Sequence, residues 1–168
     1  MTNLSVNVNK IAWLRNARGE DRPNLLELSK ILIDCGVHGL TVHPRPDLRH
    51  ITPDDVYNLS DLCVRSGVEF NIEGNPYSEK TEIYPGFINL IKEVKPDQCT
   101  LVPDSPEQLT SDHGWQIAGK DHNIVRNIVE ELQGEDTRIS FFVDPDLDQI
   151  NTIKELGANR IELYTGPY

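Results

Sequence analysis

Basic residues are scarce in this chain: sixteen Lys and Arg stand against twenty-seven Asp and Glu, for a formal net charge of −11 at pH 7. Phosphate backbones are held by net basic surfaces, so a general nucleic-acid binder is excluded. No window is long or apolar enough to span a bilayer or to form the core of a signal peptide, and the expectation is a soluble, cytoplasmic protein without membrane partners. Cysteine is limited to Cys35, Cys63 and Cys99, widely spaced inside apolar periodic segments and without a Cys-x-x-Cys pair. They read as buried, reduced thiols. There is no His-x-His and no pair of histidines at i, i+4, so neither a structural nor a catalytic metal is expected. The segment Asn7-Val8-Asn9-Lys10-Ile11 carries no G-x-G-x-x-G where a dinucleotide-binding fold would place one.

What is present is a regular alternation. Helix-period apolar sets recur at Leu28/Ile31/Leu32/Cys35, Val56/Leu59/Cys63, Phe87/Leu90/Ile91/Val94, Val125/Ile128/Val129/Leu132 and Ile150/Ile153/Leu156. After each comes a short apolar run introduced by Gly36, Gly67, Pro96, Gly134 or Gly157: residues 39–42, 69–72, 98–102, 138–143 and 160–164. A further strand, residues 4–8, precedes the first helix. Parallel neighbours need helical crossovers, so the pattern predicts an α/β fold with a parallel sheet. Without a nucleotide loop, the TIM (β/α)8-type barrel is the preferred architecture. A full barrel needs about 250 residues, whereas these 168 residues supply about six units, ending at Gly166-Pro167-Tyr168. The expectation is therefore a single barrel domain over 1–168, incomplete at its C-terminus. Six units would leave two strand edges unpaired and an apolar interior open, which predicts aggregation.

Unusual polar residues fall at the predicted strand ends: Asn7 and Asn9, His43 and Arg45, Glu73, Asp144, Thr165. In a (β/α) barrel that end carries the chemistry. The stretch from His43 to His50 holds two His, two Arg and one Asp. Arg45 and Arg49 suit a phosphate, and His43 suits proton transfer near neutrality. His50 fits a ligand contact or the entrance of the helix led by Thr52-Pro53 equally well. By alternation Asn71 and Glu73 face the barrel axis if Phe70 and Ile72 pack on helices, and a desolvated Glu73 would titrate high. Arg15-Asn16-Ala17-Arg18-Gly19 reads as a permissive loop able to close over an anion. A long polar loop after the fourth strand holds Thr110, Ser111 and His113.

Several blocks together carry a family resemblance. They are residues 6–12 with Leu14-Arg15-Asn16-Ala17-Arg18-Gly19, Thr41-Val42-His43 through Arg49-His50-Ile51, Asn71-Ile72-Glu73, Leu101-Val102-Pro103, Phe142-Val143-Asp144 and residues 161–165. In order and spacing the chain resembles the pyridoxine 5'-phosphate synthase family. The resemblance implies a cofactor-free barrel enzyme, homo-oligomeric when complete, that condenses 1-deoxy-D-xylulose 5-phosphate with 3-amino-2-oxopropyl phosphate. It implies His43 and Glu73 as the proton-transferring pair. Asn7 and Arg18 would contact the amino-ketone phosphate, and Arg45, His50 and Thr110 the sugar phosphate. Asn9-Lys10 stands where many members carry Asp-His in contact with the sugar phosphate, and a lysine there would still favour an anion. A third catalytic histidine of the family would lie beyond Tyr168. Two other readings stand beside it: a sugar-phosphate isomerase or epimerase barrel, and a non-catalytic remnant that pairs its open edges with a partner.

Overall fold

The computed structural model of the chain describes residues 2–118, 121–133, 136–166 and 168. Gly134 and Pro167 of the sequence reading lie outside them. Among the described residues the β-branched runs form six strands, β1 (Ser5–Asn7), β2 (Gly39–Val42), β3 (Glu69–Gly74), β4 (Gln98–Leu101), β5 (Arg138–Val143) and β6 (Arg160–Leu163). They pair in parallel in sequence order. The sheet curls into a half-barrel, the partial TIM-like fold expected from the alternation. No helix among the described residues is long and apolar enough to cross a membrane.

Among the described residues six helices cover the sheet: α1 (Asn9–Arg18), α2 (Leu25–Asp34), α3 (Pro53–Ser66), α4 (Phe87–Val94), α5 (Asp121–Gln133) and α6 (Leu147–Glu155). Their starts are written locally. The Thr52 hydroxyl accepts from the Asp55 amide while the Asp55 carboxylate accepts from the Thr52 amide, and Pro53 opens the first turn, where no backbone donor is needed. Asn24 caps α2 and Asp146 caps α6 in the same sense.

Two helix readings need correction. Residues 15–18 are the last turns of α1 rather than a loop, and Gly19, at φ 70, is its left-handed C-cap. With Trp13 and Leu14 exposed, α1 lacks a strong apolar stripe, which hid it from a periodicity search. In α2 the buried positions are Leu25 and Ser29, with Leu28 and Leu32 partly covered, while Ile31 is 54% exposed and Cys35 is exposed. Leu-Leu-Glu-Leu-Ser-Lys-Ile-Leu-Ile is apolar around too much of its circumference for spacing alone to fix the buried face. Cys63 and Cys99 are buried as expected, and desolvation raises both thiols, Cys63 to about 12.

Alternation sorts the four inner strands, β2 to β5, while in β6 Ile161 and Leu163 remain exposed. Leu40, Val42, Phe70, Ile72, Cys99, Leu101, Ile139, Phe141 and Val143 face the helices and are almost fully buried. The opposite, concave face is polar apart from Phe142, which overturns the expected apolar interior. Ser5 and Thr41 hydroxyls bond at 2.9 Å. Asn71 donates to Thr41 Oγ1 at 3.3 Å and accepts from Thr100 Oγ1 at 3.1 Å. Arg160 donates to Gln98 Oε1 at 3.0 Å, and Arg138 pairs with Glu69 at 2.7 Å. Side-chain donors and acceptors thus meet one another across the sheet, so the open face presents hydrogen-bonded groups, and the argument for aggregation through an apolar interior falls.

Thr100 is fully buried in this ladder. Thr100→Val keeps the shape but strands the Asn71 carbonyl, and is expected to cost about 1–3 kcal/mol in urea unfolding. An unchanged or raised midpoint would show that the ladder contributes nothing.

Candidate active site

The loop that follows β2 is held from outside by α1. Arg15 donates through Nη1 and Nη2 to the two Asp55 oxygens at 2.6 and 2.8 Å. Asn16 Nδ2 donates to the His50 carbonyl at 2.8 Å and reaches those of Arg49 and Leu48 at 3.3 and 3.4 Å. The loop needs such support because Leu48 sits at φ 54, a conformation that costs a non-glycine residue about 1–2 kcal/mol. Burial alone would raise the Asp55 carboxyl, but the Arg15 hydrogen bonds and the Thr52 donors more than offset it and hold Asp55 below the usual range.

A second loop, between β4 and α5, is bound to the first through its carbonyls. Arg45 Nη1 donates to the Gln108 carbonyl at 2.9 Å, and Arg49 Nη1 donates to those of Gln108 and Leu109 at 2.9 and 3.0 Å. The far end of the same loop docks on the sheet. Trp115 donates from its indole to the Leu101 carbonyl at 2.8 Å and from its amide to the Phe142 carbonyl at 3.0 Å. Gly114 is required beside it, since a Cβ there would lie 2.2 Å from the Asp144 amide.

Between these loops and the strand ends opens a cavity of about 640 Å³. His43 and Glu73 face each other in it, with Nδ1 3.8 Å from Oε2 and both side chains buried. Asn7 Nδ2 donates to the same Glu73 oxygen at 3.4 Å. Asn9 Oδ1 accepts from the His43 amide at 2.9 Å and so fixes where the imidazole leaves the backbone. Lys10, lying over the Trp13 ring, forms the rim together with Arg45, Arg49, His50 and Thr110.

The electrostatics separate the two buried groups. Burial, and then the charges of Glu162 and Asp104, push Glu73 well above the ordinary carboxylate range. Burial, and then Arg45, His50 and Arg49, push His43 down to about 3. His50 is lowered to about 4 by burial and by Arg45 and Arg49. Burial thus moves the two groups in opposite senses, the carboxyl of Glu73 upward and the imidazole of His43 downward.

Of the residues singled out in the sequence, Asn7, Asn9, Lys10, His43, Arg45, His50, Glu73 and Thr110 line this one cavity. Arg18 does not. It is exposed in the last turn of α1, and Asp144 and Thr165 also lie outside the lining. Sequence reasoning passed over Glu162, which is half-buried, lines the cavity and is itself raised by burial. The alternation argument made for Glu73 would have found it, because Glu162 pairs in register with the inward-facing Phe142.

Comparison with known proteins gives the arrangement a lineage. The family described as "Pyridoxal phosphate biosynthesis protein PdxJ" matches residues 4–168. The chain belongs to the PdxJ family. It is 50% identical over 167 residues to the pyridoxine 5'-phosphate synthase of Xylella fastidiosa strain 9a5c, covering 99% of this chain and 64% of that relative. It is 51% identical to the synthase of Xanthomonas campestris pv. campestris strain B100, with 99% and 65% covered. This PdxJ-family chain thus spans a little under two thirds of the length of the curated relatives it matches. Among solved structures, thiamine phosphate pyrophosphorylase from Pyrococcus furiosus superposes with a TM-score of 0.56 at 12% identity, over 97% of this chain and 60% of that one, a likeness of fold alone.

In this PdxJ-family chain the Arg15–Asp55 pair is nearly enclosed, with 14% and 13% of the two side chains exposed. Arg15→Ala leaves Asp55 unpaired and is expected to destabilise the fold by about 3 kcal/mol at pH 7. Because Asp55 titrates below its usual value, that contribution is fully present above about pH 4 and is lost as the pH falls through the depressed value. Denaturant midpoints of wild type and variant should converge in acid. Midpoints that stay equally far apart at low pH would assign the effect to packing instead of charge.

Proposed function

We propose that this chain carries out the chemistry named for its relatives, pyridoxine 5'-phosphate synthesis, with His43 and Glu73 as its acid–base pair. The reaction joins 1-deoxy-D-xylulose 5-phosphate to 3-amino-2-oxopropyl phosphate, and pyridoxine 5'-phosphate, inorganic phosphate and water leave. Imine formation, dehydration and the closing carbon–carbon bond all require protons to be delivered to and removed from adjacent atoms, and one acid with one base on the cavity floor serves each in turn. The observation that carries this reading is the opposed titration of the two groups 3.8 Å apart beneath a cationic rim. Lys10, Arg45 and His50 hold the sugar phosphate there with Thr110, Asn9 standing beside Lys10, while Asn7 faces the amino ketone. Arg18 reaches the second phosphate if the last turn of α1 and the ligand approach one another. Glu162 shares the cavity with Glu73 and adds to its upward shift. The chemistry assigned to these residues needs no cofactor.

Incubation of the chain with both substrates should release inorganic phosphate and produce the pyridine chromophore. His43→Gln and Glu73→Gln should each lower the rate by about 100-fold or more. Because His43 stays neutral down to about pH 3, its protonation should leave no acid limb between pH 5 and 7. Failure to release phosphate, or consumption of the sugar phosphate without the amino ketone, overturns the reading; the second outcome would mark an isomerase.

A further inference from the structure

Asp104 lies just beyond β4 and is buried, with 6% of its surface exposed. It does not line the cavity that holds Glu73. It lines a separate cavity of about 250 Å³ on the other flank of His43, together with Arg45, Asn75 and Ser78. The imidazole is therefore bracketed: Nδ1 is 3.8 Å from Glu73 Oε2, and Nε2 is 3.5 Å from Asp104 Oδ2. The same Oδ2 accepts from Arg45 Nη2 and, at 2.9 Å, from the Ser111 hydroxyl. Arginine is a donor only, so an oxygen on which these groups converge is an acceptor. Asn75 Nδ2 donates to the Asp104 carbonyl at 2.6 Å and fixes the backbone from which the carboxylate reaches the ring.

We propose that Asp104 is a positioning residue for His43, whose carboxylate keeps the ring proton on Nε2 and leaves Nδ1 as the lone-pair nitrogen turned toward Glu73. A neutral imidazole carries one N–H, and the bond made by one ring nitrogen decides the role of the other. The opposite tautomer would set the Nε2 lone pair against the Asp104 oxygen, which Arg45 and Ser111 hold as an acceptor although burial raises that carboxyl, and would turn an N–H toward Glu73. The charged and titratable groups around the ring are Glu73 from β3, Asp104 after β4, and Arg45, Arg49 and His50 from its own loop. The cations disfavour imidazolium, so the position of the single ring proton is what the surroundings select. Asp104 does not line the substrate cavity; besides His43 it holds Arg45 and adds to the upward shift of Glu73, and neither of those contacts sets the His43 tautomer. The proposal rests on the His43–Glu73 reading for its purpose, but the tautomer is a property of the chain without substrate.

Long-range proton–nitrogen correlation spectra of the 15N-labelled full chain read the tautomer directly, with the His43 signals assigned by their loss in His43→Gln. Wild type should show His43 neutral with its proton on Nε2 near pH 7. Asp104→Ala should give a mixture or a switch to Nδ1–H, and Asp104→Glu, which restores a carboxylate, should return the proton to Nε2. Ser111→Ala loosens the same oxygen without removing its charge and should leave the tautomer as in wild type. A wild-type proton on Nδ1, or an Asp104→Ala protein that keeps Nε2–H, overturns the proposal. If Asp104→Ala fails to fold, the wild-type and Asp104→Glu spectra decide it. Turnover is not part of the readout. An Nε2–H tautomer lost in Asp104→Ala in a chain that makes no product upholds the positioning role and removes the synthase reading, and the converse result does the reverse.

Discussion

The two-residue period of six parallel strands locked in register governs the rest of this molecule. Once Leu40, Phe70, Cys99, Ile139 and their neighbours are committed to the helices, every intervening side chain is sent to the concave face, and the parallel ladders bring all six C-terminal ends to the same rim. A one-residue slip would exchange the two faces entirely. The polar interior follows from that constraint. Because Thr41, Asn71, Thr100 and Gln98 satisfy one another across the sheet, the face can stand open without presenting bare apolar surface.

The site inherits its chemistry from this frame and its precision from α1. Burial acts in opposite senses on an acid and a base, so a sheet that simply encloses Glu73 and His43 shifts the first up and the second down. Little else is required of the floor. What must be placed with care is the loop carrying His43, and its carbonyls are gripped by Asn16 while Asp55, at the foot of α3, is gripped by Arg15. Two residues of an outer helix therefore determine the geometry of a site they do not enter.

The alternation of helix and strand, the parallel order and most buried stripes were legible in the sequence, because each rests on local periodicity and on caps such as Thr52-Pro53. Glu73 was legible for the same reason, its neighbours Phe70 and Ile72 being core residues. Arg15 was misread as part of a mobile loop, since its partner Asp55 is forty positions away and the helix bearing it has little apolar character. Asp104 escaped notice because it lies past the end of a strand, where periodicity no longer says which way a side chain points. The polar interior was missed by treating the inward face as an ordinary barrel core, although Thr41, Asn71 and Thr100 stood at alternate positions throughout.

Arg45 and Arg49 are engaged before any ligand arrives, the first with Asp104 and the Gln108 carbonyl, the second with Asp47 and the carbonyls of Pro106, Gln108 and Leu109. An anion that draws either guanidinium toward the rim must release backbone that the guanidinium now restrains. Occupancy and the freedom of residues 105–113 are thereby linked, and by reciprocity whatever tightens that segment weakens the hold on the anion to the same degree.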